Sequence, residues 1–219
     1  MRIFSSTIGQ KVIMAVTGLM MVGFVLGHMA GNLLIFAGQD ALNAYAEFLQ
    51  HGTHGLVWAV RGGLLAALAL HIWSSVKLTR INSAARKTSY QHKLKVQKTS
   101  YAAITLRYGG FMLFCFIIYH LAHFTFGTGI EGFEKAEVYG NVIRGFTVPW
   151  VSGIYIIAML ALGMHLYHGV WSGLQTLGLN NPRYNALRKA LSTLLAAAVV
   201  LGNCLIPIAV LTKLLELPS

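Results

Sequence analysis

Residues 12–38 read VIMAVTGLMMVGFVLGHMAGNLLIFAG, an uncharged run that starts directly after Lys11. A helix needs about 20 consecutive apolar residues to cross a bilayer, so this run is long enough to span one. Arg2 and Lys11 precede it, as basic residues precede a signal peptide, but the run outlasts a signal h-region and no small-residue cleavage site follows. It reads as a retained first span over about residues 11–36.

Four further stretches have the same character: about residues 56–79, 105–127, 149–175 and 190–212. The fourth span opens on Pro149, where a first-turn proline forfeits no hydrogen bond. Pro207 is expected to kink the end of the fifth. Glycines recur inside the spans (Gly18, Gly27, Gly62, Gly63, Gly109 and Gly110 among them), which suits close helix approach or a flat ligand. The short alternating segments of a β-barrel are absent. The predicted fold is therefore all-α, one integral membrane bundle of five transmembrane helices covering residues 1–219.

Composition agrees. Of the 219 residues 56% are hydrophobic and 11% are charged, against about a quarter charged in a soluble domain. The net charge of +11 is a topology signal and not a nucleic-acid footprint, because its position is one-sided. The N-terminus, the connection 77–107 and the connection 176–189 hold Arg2, Lys11, Lys77, Arg80, Arg86, Lys87, Lys93, Lys95, Lys98, Arg107, Arg183, Arg188 and Lys189, with no acid. The other side holds Arg61, Lys135, Arg144 and Lys213 with all six acids, Asp40, Glu47, Glu131, Glu134, Glu137 and Glu216. The positive-inside rule then puts the N-terminus in the cytoplasm and the C-terminus outside. The basic side also suits anionic lipid or an acidic partner subunit. Cys115 and Cys204 both sit in apolar runs and read as small buried hydrophobes.

The chemistry lies in the histidines. Ionisable residues within a span are costly and usually functional. The first four spans each carry at least one: His28; His71; His120 with His123; His165 with His168. The fifth carries none. Counted at 1.5 Å per residue, His28 lies roughly 25 Å beyond Lys11, His120 roughly 20 Å beyond Arg107, and His71 roughly 9 Å before Lys77. His165 falls in the later half of an inward-running span. His28 and His120 therefore share the outer half, and His71 and His165 the inner half. Two pairs at two depths are what two stacked bis-histidine haems require. Zinc would need a compact four-ligand cluster, and no intramembrane acid or thiol completes one. A proton-coupled transporter usually places Asp or Glu within its spans, and these have none. Spacing leaves His120 against His123, and His165 against His168, undecided, since both pairs lie three apart on nearly one helix face. His51, His54 and His92 sit in connections and read as solvated, with His51 and His54 near the outer haem edge.

These residues resemble a known family, the single-subunit, two-haem cytochrome b anchor of bacterial succinate dehydrogenases and fumarate reductases. The likeness is carried by Ser6-Thr7-Ile8-Gly9-Gln10-Lys11, Met14-Ala15-Val16-Thr17-Gly18 and Gly27-His28-Met29-Ala30-Gly31-Asn32-Leu33. It continues through Leu70-His71, Arg107-Tyr108-Gly109-Gly110 ahead of Tyr119-His120, and His165-Leu166-Tyr167-His168-Gly169-Val170-Trp171-Ser172. The resemblance implies haem ligands in the first four spans. It selects His120 and His165, pairing His71 with His165 at the inner haem b and His28 with His120 at the outer haem b. It further implies a flavoprotein partner that oxidises succinate and an iron–sulfur subunit docked on the cytoplasmic face. The quinone in related enzymes is commonly menaquinone, and the setting is the bacterial cytoplasmic membrane. Some relatives carry an acid close to the fourth ligand, linked to transmembrane proton movement; here the neighbours are Gly163 and Met164. Of the rival readings, one is the two-haem cytochrome b of a hydrogenase or formate dehydrogenase, the other a haemless scaffold or transporter.

Two further sets are expected to serve cofactor and substrate. Arg107 and Arg61, at opposite span ends, are placed to hold haem propionates or quinone by bidentate contact. Asn32, Glu47, His51 and His54 form a polar set at the outer ends of the first two spans, suited to quinone carbonyls and proton delivery.

Overall fold

The computed structural model describes residues 6–84 and 101–218, with side chains from residue 106 in the second segment. Arg2, Arg86, Lys87, Lys93, Lys95 and Lys98, assigned above to one side of the membrane, lie outside the described residues, as does His92. The described chain is helical, with no strand.

Helix α1 runs Thr7–Asn32 and tightens into a 3-10 segment, Leu33–Ala37. Ser6 caps its start: the hydroxyl accepts from Gly9 N at 3.0 Å, satisfying one of the first-turn amides that lack an intrahelical partner. Gly38, at φ 103°, turns the chain into the short α2, Gln39–Glu47, a conformation that glycine adopts without steric cost. A π-type turn, Phe48–Gly52, leads to α3, Leu56–Ala84. Then come α4 (Tyr101–Phe124), α5 (Val138–Thr147), α6 (Pro149–Thr176) and α7 (Asn185–Leu211). Pro149 begins α6 and Ser152 Oγ donates to Phe146 O at 2.7 Å, so α5 and α6 meet at a fixed corner. Pro207, where a kink is expected, lies inside α7, which continues through it to Leu211.

Among the described residues four helical segments are long and apolar enough to cross a membrane, Thr7–Ala37, Leu56–Ala84, Pro149–Thr176 and Pro182–Leu211. The chain is a multi-pass membrane protein. Helix α4 carries the stretch predicted as the third span. It has 24 residues, the first five of which lie outside the residues whose side chains are described, and it is not one of the four.

Helices α6 and α7 form the central pair, with α1 against both; α3 packs on α1, and α4 on α6. Only 6% of the most apolar stretch of α3 is buried, against 44% for α6 and α7, so α3 is the most peripheral long helix. Small residues set the close approaches. A Cβ on Gly163 would run into Val200, and one on Gly202 into Met29, as expected where helices pack without a hydrophobic driving force between them.

The largest core cluster lies at one end of the bundle. Ile35, Leu42, Tyr139, Ile143, Phe146, Val151, Tyr155, Ile206 and Val210 are all buried there. Polar bonds lock α2 to α5 above it: Gln39 Nε2 and Asn43 Nδ2 donate to Glu137 at 2.9 and 3.0 Å, and Tyr139 N donates to Asn43 Oδ1 at 3.0 Å. At the opposite end, Arg188 is 3% exposed, its guanidinium 4.4 Å over the Trp171 ring and bonded to Asn185. Arg188 is thus a packed residue rather than one of the exposed topology charges.

Candidate functional site

The four histidines predicted as ligands meet in two tiers. His71 on α3 faces His165 on α6, with ring centroids 6.3 Å apart and planes inclined 61°. His28 on α1 faces His120 on α4 at 5.9 Å and 83°. The first pair lies toward the N-terminus of α1, the inner tier. Its level is marked by Met14 and Gly18 on α1 and by Gly110 on α4: a Cβ on Gly18 would sit 3.2 Å from His71 Cε1, and one on Gly110 3.7 Å from His165 Cε1. The second, outer tier lies under the α2–α5 cap, where Tyr155 on α6 touches His120. Ten residues separate Gly18 from His28, Gly110 from His120, and Tyr155 from His165. Three helices therefore agree on a tier separation of about 15 Å, at 1.5 Å per residue.

The ring nitrogens of three of these histidines have defined surroundings. His71 Nδ1 lies 3.0 Å from the Met14 carbonyl and 3.4 Å from Thr17 Oγ1. A carbonyl only accepts, so Nδ1 carries the proton and Nε2 keeps its lone pair. Thr17 is itself committed, donating to Ile13 O at 2.7 Å. In the outer tier His120 Nδ1 lies 3.3 Å from the Tyr155 hydroxyl. Among the described residues His165 Nδ1 is buried with no hydrogen-bond partner. His28 is flanked by Phe24, stacked at 5.4 Å.

The pairs fit one metal each. With metal–nitrogen bonds of about 2 Å, two imidazoles on opposite sides of one ion have ring centres about 6 Å apart, close to both observed separations. Among the described residues no group of three or more His, Cys, Asp or Glu converges on a point, so four-coordinate zinc is disfavoured. Each pair of imidazoles would instead suit a metal whose remaining ligands come from a planar macrocycle.

The two choices left open by spacing are decided by neighbours. His123 is 2% exposed and packs in the α4–α5–α6 corner, where a Cβ on Gly145 would lie 2.9 Å from its Cε1. Its ring stacks on Tyr119 at 5.6 Å, and its Nδ1 bonds the Tyr155 hydroxyl at 3.0 Å. It is turned away from His28. Likewise His165, not His168, makes the ring contact with His71.

The remaining candidates divide. Glu47 and His51 line a polar cleft of about 480 Å³ with Asp40, Asn43, Gln50 and Glu137, beneath the α2–α5 connection. His54 is not in it: held at φ 47°, it turns its Nδ1 to Gly52 O at 3.0 Å, and its side chain is exposed. Asn32 ends α1, half-buried, outside the cleft lining. Arg61 stacks over Trp58 at 4.8 Å. It precedes His71 by the same ten-residue interval that separates the tiers, so it stands level with the outer pair. Arg107 is exposed, one turn before Gly110 and hence just beyond the inner pair. Sequence reasoning missed Tyr155, which sits among apolar residues and whose one visible signal is its ten-residue distance from His165.

Comparison with protein-family models, curated proteins and solved structures found no match.

Proposed function

We propose that this chain is the dihaem cytochrome b membrane anchor of a bacterial succinate:quinone oxidoreductase. The observation that supports it is the pair of histidine tiers, His71 with His165 and His28 with His120, at 6.3 and 5.9 Å. In this reading His71 and His165 would hold an inner haem b, and His28 and His120 an outer one. The bound haems would supply two one-electron couples linking a partner's iron–sulfur centre to a membrane quinone.

The protein's own residues do the rest. The Met14 carbonyl accepts the His71 Nδ1 proton, which would leave Nε2 bare to hold a metal. Three helices with fixed rise hold the tiers apart. The apolar faces exclude water, which with the ligand set tunes potential. Helix α4 serves as the third of five spans, with the N-terminus cytoplasmic and the C-terminus outside. Arg80, Arg183 and Lys189, all exposed, then lie on the cytoplasmic side, where the iron–sulfur subunit docks beside a flavoprotein that oxidises succinate. Arg107, next to the inner tier, is placed to meet a haem propionate there, and Arg61 one at the outer tier. A quinone, menaquinone by the family resemblance, is reduced on the outer side, with Glu47 and His51 moving protons from the polar cleft.

Purified protein is expected to give about two haems per chain by pyridine haemochrome, with all-nitrogen axial ligation; a value near zero or one rejects the proposal. Recovery of a flavoprotein with covalent flavin in the same complex separates this reading from a hydrogenase or formate dehydrogenase anchor. For the quinone side, Glu47→Gln in the intact complex is expected to slow succinate-to-quinone electron transfer by roughly a hundredfold or more, within the range for loss of a general acid–base group. Succinate oxidation with a soluble acceptor should be unchanged. Full quinone activity in that variant would remove Glu47 from the site.

A further inference from the structure

We infer that Tyr155 is a positioning residue for His120: its hydroxyl takes the Nδ1 proton of His120 and is held for that purpose by donating to His123. The inference rests on the proposal that His120 binds iron through Nε2.

The geometry is a chain of three groups. The Tyr155 hydroxyl lies 3.3 Å from His120 Nδ1 and 3.0 Å from His123 Nδ1. Tyr155 and His123 are 6% and 2% exposed, so water does not compete for these bonds. The direction of each bond follows from proton counting. A neutral imidazole that gives its Nε2 lone pair to a metal must carry its proton on Nδ1. His120 Nδ1 is then a donor, and the Tyr155 oxygen accepts. The phenol has one proton of its own, and the nitrogen within reach is His123 Nδ1, which must therefore be bare. That puts the proton of His123 on Nε2, beside Gly145. The sequence of donors is thus His120 to Tyr155 to His123, with every proton assigned to one atom.

The ring of Tyr155 fixes the hydroxyl's position. It meets Phe116, Phe124 and Phe146 at 5.0, 5.6 and 4.9 Å, each nearly edge-on. Those contacts do not need the oxygen. The inner tier solves the same problem differently, with the Met14 carbonyl accepting from His71. A carbonyl is a passive acceptor. A phenol that donates onward to His123 becomes a better acceptor itself, because hydrogen bonds in a chain polarise one another. His120 is thereby made the more basic ligand, and a more basic ligand favours the oxidised metal. The device gives the outer centre a lower potential than His28 and a free His120 would.

The test is Tyr155→Phe in the full-length purified protein, compared with Tyr119→Phe. Tyr119 stacks on His123 and meets Tyr155 at 5.9 Å, but shows no hydroxyl bond to His120. Redox titration of the two b-haem signals and the low-temperature electron paramagnetic resonance of the ferric protein are read. Tyr155→Phe is expected to raise the outer potential by about tenfold in the oxidation equilibrium, about 59 mV for one electron. The outer ferric signal should shift, and the inner haem should be unchanged. His123→Ala is expected to move the outer potential the same way but less, since Tyr155 still accepts from His120. Loss of the outer haem in Tyr155→Phe alone also supports the anchoring bond. An unchanged outer potential and signal in Tyr155→Phe overturns the inference, as does an equal effect from Tyr119→Phe, which would make ring packing the cause. A wild-type protein without haem overturns the proposed function instead, so the two failures are distinct.

Discussion

His165→Ala is expected to remove the inner haem and leave the outer one, lowering the haem content from about two per chain to about one. The reason is the geometry of the inner tier. His71 and His165 face each other at 6.3 Å, and His165 supplies one whole side of the site. The outer pair sits about 15 Å away on three rigid helices and shares neither histidine. Helix α6 itself should survive, because alanine is the best helix former and the α6–α7 seam runs through Gly163 and Leu166. His168→Ala and His123→Ala, one turn from the ligands, should both retain two haems. The measurement is pyridine haemochrome with a difference spectrum on monodisperse protein. Two haems remaining in His165→Ala would transfer the ligand role to another residue. One haem in His168→Ala would move it to that residue.

The second large effect is structural. Gly163→Leu is expected to destabilise the bundle by about 1–3 kcal/mol, the range for overpacking a well-packed core. A Cβ at Gly163 would run into Val200 Cγ2, with the Ala196 carbonyl 3.8 Å away. Relief by sliding α6 is opposed at its far end, where Gly173 approaches Ala15 so that a Cβ there would lie 3.9 Å from it. Gly153→Leu on the same helix is the matched control, since a Cβ there meets nothing within 4 Å. Both substitutions raise helix propensity equally, so the difference between them isolates packing. Thermal unfolding in detergent, followed by helical circular dichroism, should place Gly163→Leu several degrees below Gly153→Leu. Equal midpoints would mean that the α6–α7 approach is not tight.

Much of this protein is legible in the order of its residues, for a definable reason. Apolar length reports membrane crossing because hydrocarbon cannot hydrogen-bond an open backbone. The segments 149–175 and 56–79 accordingly recur as Pro149–Thr176 and the larger part of Leu56–Ala84. Helix rise is constant, so counting residues from span ends sorted four histidines into two depths. The segment 105–127 recurs for the most part within Tyr101–Phe124. The polar connections were the least legible. Helices α2 and α5 were not foreseen, because short helices held by Gln39, Asn43 and Glu137 side-chain bonds leave no long periodic pattern. The expected quinone set was correspondingly divided, with Glu47 and His51 in one cleft and His54 turned away.

By itself the sequence determined which segments are apolar enough to enter a membrane and how far along each helix every histidine lies. Both are one-dimensional quantities, set by composition and by 1.5 Å per residue. Only the tertiary structure decided the rotation of each helix and hence which neighbour each ring meets. His120 and His123 differ by three residues and share nearly one face, so no count along the chain separates them. What separates them is Gly145 on α5, which leaves room for the His123 ring against α5, while His120 is left to face His28. The same rotation brings the Tyr155 hydroxyl between the two histidines, a contact made across helices 32 and 35 residues apart in the chain and written in neither segment alone.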